Sequence, residues 1–145
     1  MTEATTTAPD VIAERYLQAW QNHDLDGILA LHTPDTIFTS VATGREAVGR
    51  DAVREAIAQV FAVWPDLRFH PVRVYTTTEL IVAESILETT PALPLPLGGI
   101  VAEPNGRTVR CAVADILALE NGRVKRKDSY LDALDYVRQM QGPEQ

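Results

Sequence analysis

The chain has 145 residues, 46% of them apolar and 23% charged, which is enough for one buried core and scarcely for two. A formal charge of −7 sets it against phosphate backbones and anionic bilayers, so neither nucleic acid nor a membrane is expected as a partner. The single cysteine, Cys111, precludes an internal disulfide, and no stretch approaches the roughly 20 apolar residues of a membrane helix.

The opening MTEATTTAPD has no basic region and no apolar run, so no secretory signal is read there and a cytoplasmic location is expected. Residues 1–9 are small and polar, which predicts a disordered tail ahead of one domain over 10–140. From Asp10, a candidate N-cap, Ile12, Ala13, Tyr16, Leu17 and Trp20 recur at helical spacing and predict a helix over 10–21. A second short helix is read over 24–32, with Leu25, Ile28, Leu29 and His32 on one side and Pro34 as its stop. TIFTSV, 36–41, is β-branched and aromatic and predicts a strand, with Gly44 and Gly49 marking loop beyond it. Val53, Ile57, Val60 and Phe61 predict a helix over 50–63, ended by Pro65.

Two long strands, 67–75 and 79–90, follow as a hairpin. The segment PALPLPLGGIVAEPNG, 91–106, resists regular structure yet stays apolar, and is read as a loop over an opening. Strands over 107–119 and 122–131 flank Asn121-Gly122, a pair suited to a tight hairpin turn, and 132–140 is a short C-terminal helix. Helices first and antiparallel strands after them make an α+β pattern, without the alternation or glycine motifs of a nucleotide-binding sheet.

One parity of the strand 107–119 reads Val109, Cys111, Val113, Asp115, Leu117, Leu119. A carboxyl in the middle of an apolar face must be paired, or else stay neutral and donate a hydrogen bond. Tyr16 and Trp20 lie four residues apart and share a helix face, where a phenol either fills core or meets a ligand. Trp64 reads as packing that can border a pocket. Glu84 and Glu88 share a parity with Leu80, Val82 and Ile86, and one of them can enter a pocket. The run Lys125-Arg126-Lys127 reads as a solvated face. His23, His32 and His70 fall on separate elements without metal-ligand spacing, so no metal is expected, and no cofactor either.

Taken together, ERYLQAWQNHDLDGILALHTPDTIF, the GRDAVREAI helix ending in FAVWPDLRF, and GRVKRKDSYLD resemble the nuclear-transport-factor-two-like superfamily. It contains ketosteroid isomerase, SnoaL-like polyketide cyclases and limonene epoxide hydrolase. The resemblance implies a curved antiparallel sheet wrapped by three N-terminal helices into a cone with one apolar pocket, and a homodimer. It implies that Tyr16 and Asp115 form an oxyanion hole, in which the carboxylic acid is kept neutral so that it can donate a hydrogen bond. Ser40 falls where the isomerases keep their basic aspartate, and Ser129 where the epoxide hydrolase keeps a catalytic one, with Asp128 one residue earlier. That one-residue shift turns Asp128 away from the pocket unless a bulge restores it, so the epoxide-hydrolase triad is not supported, and the base must be Asp128, Glu84 or a carboxylate brought into play by the substrate or a water relay.

The expected function is an enzyme acting on an apolar carbonyl compound, polyketide or steroid-like, by isomerisation, aldol cyclisation or dehydration through an enolate. Tyr16, Asp115 and Asp128 are the catalytic candidates, with Trp20, Ser40, Trp64, Glu84 and Ser129 around the substrate. The alternatives are a non-catalytic protein holding a small apolar ligand, or a structural dimer of the same fold.

Overall fold

Pro9 starts the first helix, because its missing N–H is no loss in the first turn and its fixed φ suits the helix. In the computed structural model, which describes residues 7–141, α1 spans Pro9–Gln21 with Ala8 at the N-cap. Asp10 therefore lies inside the first turn, where it accepts from the Val11 N–H, and is not the cap. Asp24 caps α2, Leu25–Ala30, by accepting from the Gly27 N–H. This helix stops at Ala30, so His32 and Pro34 belong to β1, His32–Ser40, rather than to a helix as the sequence predicts. Pro34 is tolerated there because the register with the neighbouring strand jumps from His32 to Ile37, leaving no ladder bond for its nitrogen to make.

Gly44 and Gly49 do not bracket a loop but a four-residue strand, β2 at Arg45–Val48, short and mostly exposed, which carries little pattern. α3 follows at Arg50–Val63, then the hairpin β3, Arg68–Thr76, and β4, Leu80–Thr89. The proline-rich segment contains a small two-stranded hairpin of its own, β5 at Leu95–Leu97 and β6 at Ile100–Ala102. β7 at Val109–Glu120 turns into β8 at Arg123–Leu131 through Asn121 and Gly122. Both have positive φ, 50° and 77°, as a two-residue turn that follows the sheet twist requires. Asp132 caps α4, Ala133–Met140.

The main sheet is mixed and unclosed, in the order β2-β1-β8-β7-β4-β3, with β1 parallel to β8 and every other pair antiparallel. α3 covers β1 and β2, α1 lies against β3, and α4 against β7. β7 alternates strictly, with Val109, Cys111, Val113, Asp115, Leu117 and Leu119 buried, so the long apolar face of the sequence is the concave, core-facing side. Among the described residues no helix is long and apolar enough to cross a membrane.

Candidate functional site

The side chains that matter reach the interior through one irregularity in β8. Between Ala118 and Leu119 the register on β7 advances by one residue while β8 moves from Arg126 to Val124, so Lys125 is an extra, bulged residue. A one-residue insertion reverses which residues face inward. Val124 is inside before the bulge, and Lys127, Ser129 and Leu131 border the interior after it. The basic run read as a solvated face is therefore split. Lys127 is 4% exposed, whereas Arg126 stays on the outer side of the sheet and Lys125 is exposed.

The same bulge decides Asp128. It remains on the outer face, where Arg126 Nε donates to both its carboxylate oxygens at 3.0 Å, so it does not enter the pocket and is withdrawn as a catalytic candidate. Glu84 is withdrawn too. The inward parity of β4 is Ile81, Ser85, Leu87 and Thr89, and Glu84 on the other face pairs with Arg73 at 2.7 Å. Glu88 shares that face and pairs with His70 and Arg110.

Inside, two hollows meet. The larger, of about 600 Å³, is enclosed by α3, β1, β8 and the proline-rich segment, with Phe38, Val60, Trp64, Leu95 and Val113 among its apolar lining. The smaller, of about 390 Å³, lies between α1 and the β3–β4 hairpin and is bordered by Tyr16, Leu17, Ile81 and Leu117. Trp20, Phe69, Asp115 and Lys127 border both. A cross-strand row Ser40–Ser129–Asp115 brings the two serines and the carboxylate side by side along the wall of the larger cavity. Trp64 also borders it while its indole N–H donates to Tyr136 Oη at 2.9 Å, combining packing with lining.

Lys127 Nζ stands 3.2 Å from Asp115 Oδ1, and the two side chains are only 5% and 12% exposed. The contact is a buried ion pair, and a carboxylate oxygen so paired still has a lone pair open. The expectation of a lone neutral acid gives way to its alternative, a paired carboxylate, with the partner a lysine that the sequence reading placed in solvent. Three aromatic rings surround the ammonium, with centroids 4.8 Å away in Trp20, 5.3 Å in Tyr16 and 5.8 Å in Phe38. Burial opposes the lysine charge, but Asp115 and Tyr16 more than offset it and hold the amine above its ordinary pKa.

Tyr16 Oη is hydrogen-bonded to His32 Nε2 at 2.8 Å, and His32 Nδ1 to Thr36 Oγ1 at 2.7 Å. Burial raises the Tyr16 pKa, the Lys127 cation opposing it. Burial, with Lys127 and Arg50 nearby, pushes the His32 pKa down to about 3 and keeps the ring neutral. Sequence reasoning missed both Lys127 and His32. Burial also pushes the Cys111 thiol up to about 12, so it behaves as a small core residue. Among the described residues no cluster of histidine, cysteine and carboxylate side chains is arranged to hold a metal.

Residues 13–127, most of the chain, match the SnoaL-like domain family. The chain belongs to that family. Solved structures similar to it share the nuclear-transport-factor-two-like fold at low identity. One is a protein from Jannaschia sp. CCS1 described as a candidate SnoaL-like polyketide cyclase, 17% identical over 99% of this chain and 100% of that one, with a TM-score of 0.76. Another, a candidate polyketide cyclase of Xanthomonas campestris pv. campestris, is 16% identical over 90% and 95%, with a TM-score of 0.77. A nuclear-transport-factor-two-like protein of unknown function from Burkholderia pseudomallei K96243 is 22% identical over 92% and 97%, with a TM-score of 0.74. No curated protein is significantly similar in sequence. In this SnoaL-like domain, then, the expected α+β architecture is present, and its polar centre is the Asp115–Lys127 pair.

Proposed function

We propose that the larger cavity binds an apolar carbonyl compound, of polyketide or steroid-like size, and converts it through an enolate by isomerisation, aldol cyclisation or dehydration. One observation carries the reading: a buried carboxylate and a buried ammonium, 3.2 Å apart, border a cavity of about 600 Å³ whose lining is otherwise largely apolar. Asp115 takes a proton from the carbon next to the carbonyl, and the Lys127 ammonium stabilises the negative charge that then develops on the oxygen. In a site shielded from water such a charge contact is far stronger than in solution, which is why one cation can replace a set of neutral donors. Trp20, Phe38 and Trp64 hold the rings of the substrate, and Ser40 and Ser129 give it polar contacts beside the reacting oxygen. The neighbouring candidate polyketide cyclases support the reaction class. The family resemblance adds a homodimer to the proposal, and exposed Val72 and Tyr75 on the edge strand β3 suit such a contact. A 16.0 kDa monomer in sedimentation equilibrium removes that part.

A phenolic mimic of the enolate, 2-naphthol, tests the site, its ionisation followed by absorbance. The proposal expects the bound naphthol to be more ionised than in water, and expects Lys127→Met to weaken its binding at least tenfold. Binding that ignores Lys127→Met and Asp115→Asn equally would replace the enzyme with a carrier of apolar ligands. A cavity that takes no apolar ligand would leave the structural dimer.

A further inference from the structure

Behind Tyr16 runs a line of three polar groups whose protons can be counted. Thr36 Oγ1, the His32 ring and Tyr16 Oη are joined at 2.7 Å and 2.8 Å, no group outside this line among the described residues accepts from either hydroxyl, and the Trp20 indole N–H beside Tyr16 Oη can only donate. Neutral imidazole carries one N–H and the two hydroxyls carry one O–H each, so three protons serve two hydrogen bonds and one O–H is left over. With the ring proton on Nδ1, Tyr16 donates to Nε2, Nδ1 donates to Thr36, and the spare O–H belongs to Thr36. With it on Nε2, Thr36 donates to Nδ1, Nε2 donates to Tyr16 Oη, and the spare O–H belongs to Tyr16.

The two ends of the line differ. Thr36 is 0% exposed and borders neither hollow, so a donor stranded there has lost water and found no acceptor, which disfavours that arrangement. Tyr16 borders the smaller hollow, where a ligand atom or a water can accept. Asp115 and Lys127 border that same hollow, so the spare proton of Tyr16 and the ammonium serve one space. The count holds through the working pH range because the ring does not take up a second proton there.

We infer that His32 is a positioning residue: its Nε2–H donates to Tyr16 Oη and leaves the Tyr16 O–H free to donate, from the smaller hollow, to an oxyanion held at the Lys127 ammonium, which borders both hollows. The inference rests on the enolate chemistry proposed above and deepens it. The oxyanion then has two donors of different kinds, a phenol and an ammonium, with no bond made or broken in the line behind them. Arg50, whose Nη2 donates to the His32 carbonyl at 2.6 Å, fixes the backbone from which the ring projects.

Nitrogen-15 NMR of the full chain tests the tautomer without any ligand, because protonated and bare ring nitrogens resonate far apart. His32 is expected to carry its proton on Nε2, and a proton on Nδ1 overturns the inference. With 2-naphthol as the probe, His32→Leu is expected to weaken binding at least tenfold, and His32→Gln, whose amide N–H can replace Nε2–H, to restore most of it. Equal affinity in wild type, His32→Leu and His32→Gln, with all three folded, also overturns it. If the wild-type protein binds no naphthol, the proposed function fails and the nitrogen spectrum alone decides the tautomer.

Discussion

Replacing Lys127 with methionine keeps most of the side chain's length and removes its charge, which leaves Asp115 alone on a wall where it is 12% exposed. Losing one partner of a buried ion pair costs about 3–5 kcal/mol, because the remaining charge stays desolvated without its counterion. The three rings around the ammonium add about 2 kcal/mol when the cation is as enclosed as this one. Removing both charges in Lys127→Met/Asp115→Leu deletes the desolvation cost with the attraction, so the double variant is expected to recover most of the loss. Urea unfolding of the four proteins closes the cycle, provided the slopes agree. A coupling of at least about 2 kcal/mol is expected. A single-variant loss below about 1 kcal/mol, or a double variant as unstable as the two losses summed, would refute the picture of a tight buried pair.

Three further outcomes follow from individual residues. His32 is neutral in the folded chain down to about pH 3 but titrates near 6.5 when unfolded, so protons bind preferentially to the unfolded state as the pH falls. Between pH 7 and 5.5 its contribution to stability drops by about 1.2 kcal/mol, and this part of the acid sensitivity should vanish in His32→Gln, measured by urea unfolding at both pH values. Gly122→Ala places a Cβ at φ 77° in the β7–β8 turn and should cost about 1–2 kcal/mol in the same assay. Asp128→Ala removes an outer-face carboxylate paired with the 40% exposed Arg126 and should leave naphthol affinity within twofold, while stability falls by less than about 1 kcal/mol.

Much of this molecule is readable without coordinates because its longest elements obey simple periods. The three- and four-residue spacing of Val53, Ile57, Val60 and Phe61 marks α3, and the strict alternation from Val109 to Leu119 marks β7 and aims Asp115 inward. β2 escaped because four exposed residues between two glycines have no apolar rhythm. β1 escaped in part because Pro34 reads as a helix stop, whereas it occupies a break in strand register. Lys127 is the instructive failure. Val124 and Leu131 are both apolar and seven residues apart, an odd interval that two inward residues of a regular strand cannot have. That interval is the one sequence sign of the bulge, and applying it brings Lys127 to the pocket side while Asp128 stays off it, as its one-residue offset from Ser129 already implied. His32 left no comparable sign, since its partners, Tyr16 and Thr36, come together only once α1 and β1 are packed.

The central chemical question is whether Asp115 moves a proton at carbon. Deuterium uptake at the activated position of an apolar ketone such as 2-tetralone, followed by NMR in heavy water, measures that step without knowledge of the natural substrate. Exchange above the buffer rate in the wild type, lost in Asp115→Asn and kept in Asp128→Ala, is the predicted result. Exchange at the same rate in wild type and Asp115→Asn would contradict the role given to the Asp115–Lys127 pair.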